Sequence, residues 1–299
     1  MRGVVVALGN FDGVHLGHQA VLRRAVEEGR KRGERVVAAT FDPHPRAVLG
    51  PGGPPKLLTT PELRREALMR YGADEVRAIR FDEELSKRSP EEFVREVLVE
   101  EIGASAVVVG ENFRFGHKAA GDFGDLERLM SSLGREAYGV PIRSYGGGEG
   151  GISSTRIRHL ISEGVVEEAA QLLGRPYVVR GEVVVGDRRG RSIGFPTANL
   201  LQDAAQVIPA RGVYAGFVYI GKEVHSACTN VGVAPTFERG ENRIEAYLID
   251  FEGDLYGRIV DVSFVRRIRP EKRFSGVEEL KEQIARDVDQ ARRITNHTL

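Results

Sequence analysis

Three absences narrow what this chain can be. Its 299 residues include one cysteine, Cys228, which excludes an internal disulfide framework and is typical of a reducing cytoplasm. No apolar run approaches the roughly 20 residues of a membrane-spanning helix, and we recognise no signal peptide before the first predicted strand. Neither sign of charge is in excess, since Lys plus Arg and Asp plus Glu number 43 each. Without an overall basic field to attract nucleic acid or an anionic membrane, we expect a cytoplasmic protein with small-molecule partners.

The length predicts two domains, at about 150 residues each. In the first half, apolar runs alternate with segments of helical periodicity. Predicted strands cover residues 4–8, 35–40, 75–81 and 106–110, and predicted helices cover residues 19–32, 61–71, 90–101, 156–162 and 165–173. This alternation of strand and helix predicts an α/β domain with a parallel, doubly wound sheet.

Gly174-Arg175-Pro176 is typical of a helix end, and short β-rich runs replace the alternating strands and helices after it. We therefore place the domains at residues 1–174 and 175–299. Short β-rich runs at residues 177–185, 212–220, 224–231, 243–251 and 259–268, separated by glycine turns, predict an antiparallel barrel. A final helix is predicted over residues 277–293, with Ser275 and Glu278 as a capping box. Its apolar stripe should seal the barrel and comprises Val277, Leu280, Ile284, Val288 and Ala291.

A glycine-rich turn, Gly9–His18, lies between the first predicted strand and helix. Such a turn offers free backbone N–H groups and the positive end of a helix dipole, which together make an anion site. The turn matches neither of the two common phosphate loops. His15 and His18 are three residues apart at the mouth of the helix and can both point toward one phosphate. The alternatives are two surface histidines or a two-histidine metal site.

A second candidate anion site opens the predicted helix at residues 156–162. The hydroxyls of Ser153, Ser154 and Thr155 can cap the free N–H groups of the helix, and the same donors can bind a phosphate. Arg158 should share the helix face of Ser154 and Thr155, whereas Arg156 should point away. A capping motif alone is common, so this segment indicates a phosphate site only in combination with the Gly9–His18 turn.

Other polar and aromatic residues follow predicted strands of the first half, where ligands of open α/β sheets gather. His44 lies between two prolines after the second strand, and a plain turn residue is the alternative. After the strand at residues 106–110, Asn112 could bind the edge of a base or flavin, and Phe113 or Phe115 could stack on a flat ring. The alternative for the two phenylalanines is a place in the core.

The second half has its own candidate nucleotide site at residues 186–199. Gly186, Gly190 and Gly194 would let the backbone approach a nucleotide closely. If the chain is extended here, Thr197 and Asn199 point to the same face. Their neutral oxygens suit Mg²⁺ that already carries phosphates. The alternative is a Pro-Thr turn followed by an Asn cap.

Glu245 is a carboxylate in a predicted strand that is otherwise largely apolar. Alternation places it on one face with Tyr247 and Ile249, and places Ile244, Ala246 and Leu248 on the other, as the sequence from 244 to 249 shows. Period-two alternation alone cannot decide which face is the barrel interior.

Five separated parts of the sequence, taken in order, resemble those of one enzyme family: Gly9–His18, Phe41–Pro45, Gly110–Gly116, Ile152–Arg158 and the motifs of the second half. The H-x-G-H turn is similar to the nucleotidyltransferase signature, and I-S-S-T-x-x-R to the second phosphate motif of that superfamily. The second half resembles riboflavin kinases over nearly its full length, through G-x-x-x-G-R-x-I-G-F-P-T-A-N and the later E-A-Y-L-I-D-F. The whole chain thus resembles the bacterial bifunctional riboflavin kinase/FAD synthetase family.

This resemblance implies a Rossmann-like nucleotidyltransferase domain followed by a six-stranded riboflavin kinase barrel with an end helix. It implies phosphorylation of riboflavin to FMN and adenylylation of FMN to FAD, both with ATP and Mg²⁺. Glu245 would be the kinase base, Thr197 and Asn199 would hold Mg-ATP, and His15, His18 and Arg158 would stabilise charge on the ATP phosphates. Expected ATP or phosphate contacts are Gly9, Phe11, Gly13, Gly17, Ser153, Ser154, Thr155, Gly186, Gly190 and Gly194, and expected flavin contacts are His44, Asn112 and Phe113.

Two other functions compete with this interpretation. A nucleic-acid-handling protein is one, because H-x-G-H also occurs in aminoacyl-tRNA synthetases, but the neutral charge and the lack of a K-M-S-K-S-type loop count against it. A flavin-binding carrier without turnover is the other. We expect no nucleic-acid or membrane partner, and the sequence leaves a transient homo-oligomer open.

Overall fold

The chain forms two compact units in a computed structural model that describes residues 3–50, 53–141, 151–186, 194–233 and 242–298. One unit comprises Met1–Lys56 and Pro61–Ser154, and the other comprises Leu57–Thr60 and Thr155–Leu299. Along the described part of the chain, no helix is both long and apolar enough to cross a membrane. The predicted boundary between residues 174 and 175 stays a prediction.

The first unit is built on a five-stranded sheet of order β3-β2-β1-β4-β5 in which every pair is parallel. The strands are β1 (Val4–Leu8), β2 (Arg35–Asp42), β3 (Glu75–Arg80), β4 (Ala104–Gly110) and β5 (Glu136–Val140). Central strand β1 is buried at every residue, as its continuous apolar run predicts. The predicted parallel sheet is confirmed. Edge strand β5 was not predicted, because it is half-exposed and has no apolar run.

Helices cover both faces of this sheet, over two apolar cores. They are α1 (Leu16–Arg32), α2 (Pro45–Leu49), α3 (Pro61–Arg70), α4 (Glu83–Lys87), α5 (Pro90–Glu92), a π-helix that continues it (Phe93–Glu101), a 3₁₀ turn (His117–Ala119) and α6 (Phe123–Ser132). Helix α1 ends where predicted, because Gly33 takes the left-handed conformation with φ of 65°. Helix α6 was not predicted.

The second unit holds a closed antiparallel barrel, as predicted. Its six strands are β6 (Tyr177–Val184), β7 (Ala198–Gln202), β8 (Gly212–Ile220), β9 (Glu223–Val233), β10 (Asn242–Leu248) and β11 (Ile259–Phe264). Pairing of β11 with both β6 and β8 closes the barrel, and the short β12 (Arg266–Arg269) adds to β8. The predicted strand at residues 259–268 is therefore two strands. Strand β7 confirms that Ala198 and Asn199 are extended.

The end helix packs on the outer face of the barrel, mainly through its second half. Two helices precede the barrel, α7 (Ser154–Ser162) and α8 (Val166–Leu173). The end helix is α9 (Val277–Asn296). Val288 and Ala291 are buried in a cluster with β8 and β9, whereas Val277 is 56% exposed, so its place in the predicted stripe is wrong. The predicted capping box is also wrong, because the backbone N–H and hydroxyl of Ser275 both donate to Glu279.

Segments from outside the predicted kinase half pack on this barrel. Leu57 exchanges backbone hydrogen bonds with the β7–β8 connection, donating to Ala205 at 2.7 Å and accepting from Val207 at 2.9 Å. After α7, Gly164 has φ of 76°, and a Cβ there would lie 2.7 Å from the Tyr214 hydroxyl. Arg267 of β12 donates to the carbonyl of Glu163 at 3.4 Å. Helices α7 and α8, with the turn between them, thus pack on the barrel through apolar and polar contacts.

Candidate active sites

The Gly9–His18 turn follows β1 and has a tightly curled backbone. Phe11, Gly13 and Val14 have φ of 51°, 83° and 41°. Left-handed φ is unfavourable for side chains with a Cβ and especially for β-branched Val14. Phe11 and Val14 are 1% and 0% exposed, so burial of their side chains holds the strained conformation. The turn is therefore a rigid platform at the carboxyl end of the central strand.

His15 and His18 lie together, as predicted. Their rings stack with centroids 3.6 Å apart and an interplanar angle of 16°. His15 is the N-cap of α1, where its Nδ1 accepts the backbone N–H of His18 at 3.3 Å. Nδ1 of His18 is buried and makes no hydrogen bond within the described residues. Those residues also include no group of three or more His, Cys, Asp or Glu suited to a metal ion.

Arg64 of α3 belongs to this turn, which sequence reasoning missed. It is 4% exposed, and its Nη1 donates to the carbonyl of Asn10 at 3.1 Å. Burial lowers the pKa of His18 well below its usual value, and the charges of His15 and Arg64 lower it further. His18 is therefore neutral at pH 7. No sequence signal separates Arg64 from the other charged residues of its helix.

We expect the His18 ring to titrate below pH 6.5 in the free protein and at higher pH when a non-hydrolysable ATP analogue is bound. An anion beside the ring favours its protonated form, which reverses the effect of burial and of Arg64. The measurement is an NMR pH titration with labelled histidine, assigned through His18→Gln, with exposed His297 as the reference. An unchanged His18 titration at saturating nucleotide would show that no phosphate lies against it.

The second anion motif is joined to the first by a hydrogen bond. Ser154 begins α7, and its hydroxyl donates to the carbonyl of Asp12 at 2.9 Å. Arg158 Nη1 lies 3.4 Å from the Thr155 hydroxyl, which confirms that these two residues share a helix face. The helix starts two residues before the predicted start at 156. Ser153 is exposed just before it.

The candidate flavin residues follow β2 and β4, the two strands that flank β1 in the sheet. His44 caps α2, where its Nδ1 accepts the N–H of Arg46 at 3.2 Å. Asn112 is exposed after β4. Phe113 stacks on Phe115, with ring centroids 5.8 Å apart, and Phe115 is 5% exposed in the core. The core alternative thus applies to Phe115, while half-buried Phe113 stays a flavin candidate.

The barrel has a cavity of about 570 Å³ at the start of β7. Gly186, Thr197 and Asn199 line one side of it, and residues 251–256 line another. A Cβ on Gly186 would lie 2.3 Å from Nδ2 of Asn199, so the glycine permits a close approach there. Gly194 has φ of 89° and open space around it, so glycine is favoured there by the left-handed backbone and not by a close contact. Gly190 lies outside the described residues, as do residues 187–193 and 234–241.

Asn199 has the features of a metal ligand. Its side chain is 7% exposed, and its Nδ2 donates toward the carbonyl of Thr197 at 3.4 Å. Its Oδ1 is buried and accepts no hydrogen bond from the described chain. A buried acceptor without a partner costs about 1–3 kcal/mol, which a bound cation would offset. A neutral oxygen beside a nucleotide-sized cavity fits Mg²⁺ that carries phosphates.

Glu245 lies on the outer face of the barrel, next to this cavity. Its neighbours Ile244 and Ala246 are fully buried on the inner face, which resolves the ambiguity of the sequence pattern. Across the sheet, Glu245 pairs directly with Asn199 of β7 and with Asn230 of β9. Directly paired side chains have Cβ atoms about 4.5–5.5 Å apart. The carboxylate is therefore half-buried in a row of polar side chains, and it is not simply solvated.

Arg243 completes this polar group and was not predicted. Its Nε lies 3.2 Å from Oε1 of Glu245, and its side chain is 15% exposed. Period-two alternation already places Arg243 on the face of Glu245, so this signal was present in the sequence and was missed. Asn230 could not be found in this way, because strand register decides what lies opposite Glu245.

Comparisons with known proteins match both halves of the chain. One family model, described as FAD synthetase, matches residues 1–156, and another, described as riboflavin kinase, matches residues 173–295. The chain is 39% identical to the bifunctional riboflavin kinase/FMN adenylyltransferase of Listeria monocytogenes and 40% identical to that of Escherichia coli K12, over 96% of this chain and 91% of each relative. A crystal structure from Streptococcus pneumoniae, named as a macrolide-efflux protein, has a TM-score of 0.88 at 35% identity, covering 97% of this chain and 94% of that one.

Proposed function

Because the chain belongs to the bifunctional riboflavin kinase/FMN adenylyltransferase family, it makes FMN from riboflavin and FAD from FMN, and we propose which residues carry each reaction. ATP is the co-substrate of both. We assign riboflavin phosphorylation to the cavity and polar row of the barrel, and FMN adenylylation to the carboxyl edge of the parallel sheet. The observation that supports the first assignment most is the pairing of Glu245 with Asn199 beside the cavity.

In the kinase reaction, Glu245 accepts the proton of the riboflavin 5′-hydroxyl as that oxygen attacks the γ-phosphorus. Thr197 and Asn199 would hold Mg²⁺, which neutralises charge on the ATP phosphates when bound. Phosphoryl transfer requires little covalent chemistry from the protein, so positioning and charge neutralisation dominate. The cavity lined by Gly186 holds the donor nucleotide, and the polar row receives the acceptor.

In the adenylylation reaction, the FMN phosphate is the nucleophile and is already ionised, so no general base is needed. His15, His18 and Arg158 stabilise charge on the ATP phosphates as pyrophosphate leaves, together with the backbone N–H groups of the turn. His44, Asn112 and Phe113 follow the strands beside this turn and would bind the flavin. Ligands of open α/β sheets bind at the carboxyl edge, at the point where the strand order changes direction. In this sheet that point is at β1, which has β2 on one side and β4 on the other.

One assay tests the activities directly. The chain is incubated with riboflavin, ATP and Mg²⁺, and the flavins are separated by chromatography. We expect riboflavin to be converted to FMN and then to FAD, with pyrophosphate release. A carrier would bind flavin without converting it, and a nucleic-acid-handling protein would leave the flavins unchanged. We also propose a cytoplasmic location for both reactions, which the single buried cysteine supports.

Replacing Gly186 by Ala should lower riboflavin phosphorylation by about tenfold or more, since misplacing a catalytic group by about 1 Å can cost about 10²-fold in rate. The added Cβ would lie 2.0 Å from Nη2 of Arg243 and 2.3 Å from Nδ2 of Asn199. Gly276→Ala is the control, because a Cβ there meets nothing within 4 Å. Initial rates of FMN formation measure both variants. Wild-type rates in a folded Gly186→Ala protein would place the kinase chemistry elsewhere.

A fragment that starts at Arg175 should convert riboflavin to FMN and form no FAD, because the barrel has its own core and end helix. We expect a fragment of residues 155–299 to do the same and to melt at a higher temperature. It retains α8, whose Val166, Leu172 and Leu173 are buried. Thermal unfolding and flavin chromatography compare the two fragments. If both fold without kinase activity, the barrel is not an independent active site.

A further inference from the structure

The guanidinium of Arg243 lies where the donor and acceptor parts of the kinase site meet. Its Nε contacts the carboxylate of Glu245 at 3.2 Å. Its far nitrogen, Nη2, lies 2.0 Å from the position that a Cβ on Gly186 would take. That same position is 2.3 Å from Nδ2 of Asn199, and both Gly186 and Asn199 line the nucleotide cavity. One side chain therefore joins the proposed base to the corner that holds the phosphates.

This placement is unusual for a structural ion pair. Arg243 is 15% exposed although it lies on the outer face of the barrel, where a long side chain can reach water freely. A partly buried ion pair contributes little net stability, because desolvation and the ordering of both side chains offset their attraction. A side chain at residue 186 would displace the end of this guanidinium. The arrangement keeps a positive charge at the corner of the cavity, next to the proposed base.

We propose that Arg243 is a catalytic residue of riboflavin phosphorylation that binds the phosphoryl group in transfer. Nε stays on Glu245 while Nη2 donates to a non-bridging oxygen of the γ-phosphoryl group. The riboflavin 5′-oxygen forms its bond to the γ-phosphorus as the bond to the β–γ bridging oxygen breaks. The hydroxyl proton goes to Glu245, ADP leaves with the bond electrons, and Arg243 stays protonated throughout. This inference rests on the assignment of the cavity and of Glu245 to the kinase reaction.

Arg243→Gln should lower kcat for riboflavin phosphorylation by about 10²-fold, the loss expected when one donor to a charged transition state is removed. The KM for riboflavin should change less than threefold. Arg243→Lys should recover part of kcat, since it keeps the charge and loses the two-pronged geometry. Arg180→Gln is the matched control, because Arg180 forms an ion pair with Asp261 at 2.7 Å on the same barrel. The rate of FAD formation from supplied FMN should stay within twofold in every variant, and thermal unfolding checks that the barrel itself is folded.

A double-mutant cycle separates phosphoryl binding from mere positioning of Glu245. If Arg243 contacts the phosphoryl group, Arg243→Gln still lowers kcat about tenfold or more when combined with Glu245→Gln. If it acts only by holding the carboxylate, the second substitution costs less than twofold, and the proposal is overturned. A single Arg243→Gln variant with more than a third of wild-type kcat overturns it as well. The base assignment fails separately, through a fully active Glu245→Gln protein, and that result leaves the Arg243 measurement interpretable.

Discussion

Glu245→Gln is expected to lower kcat for riboflavin phosphorylation by ~10²–10⁴-fold, the usual contribution of a general base. Gln keeps the size and polarity of the side chain, and it cannot accept the proton of the 5′-hydroxyl. Because Glu245 lies on the outer face beside Asn199 and contacts Arg243, its loss should affect the chemical step and not the barrel core. The KM for riboflavin and FAD formation from supplied FMN should stay near wild type. Steady-state kinetics of both reactions on one preparation provide the measurement.

Glu182→Gln is the control for this variant. Glu182 is an exposed carboxylate on strand β6 of the same barrel, so the substitution removes an equal charge. It should leave both activities unchanged. If Glu245→Gln retains more than about a third of wild-type kcat, the carboxylate is not the base, and Glu245 is only a surface partner of Arg243.

Replacing both His15 and His18 by Ala should lower FMN adenylylation by ~10²-fold or more, as expected when donors to developing phosphate charge are lost. Riboflavin phosphorylation should remain near wild type. The two rings stack at 3.6 Å and are fixed by the strained turn, so we expect them to act together on the leaving pyrophosphate. Separate assays with riboflavin and with supplied FMN distinguish the two effects.

His15 also caps α1, and losing an N-cap costs about 1 kcal/mol of stability. His15→Asn keeps a capping side chain and removes the imidazole, so it separates catalysis from helix stability. His117→Ala is the control, because His117 is exposed in the same unit. Equal loss of both activities in a folded double variant would contradict the division of labour between the two units.

The parallel sheet, the barrel and the turn after β1 were all predictable from local sequence. Continuous apolar runs identify buried strands such as β1, and Gly33 and Gly174 end helices through left-handed φ. The pairing of His15 with His18 was also predictable, because both lie within one turn of chain at a helix start. Half-exposed β5 has a weak local signal and was missed. Helix α6 was missed although it begins with a capping box and buries Leu126, Leu129 and Met130 at helical spacing.

Tertiary structure decided which residues from outside the motifs lie at each site. Arg64 reaches the histidine turn from another helix, across 54 residues of sequence. The segment Leu57–Thr60 belongs to the barrel unit although it precedes most of the parallel sheet. Contacts of this kind depend on packing between distant segments, for which periodicity and turn residues hold no information.

The sequence by itself determined the motifs, because glycine turns, helix starts and alternating strands are local patterns, and the resemblance of those motifs to one enzyme family implied the two reactions. Only the tertiary structure decided which face of β10 is the barrel interior. The burial of Ile244 and Ala246 turns Glu245 outward, and strand register places it between Asn199 and Asn230. Register is set when the barrel closes and all six strands bury one face together, so a single strand cannot specify its neighbours.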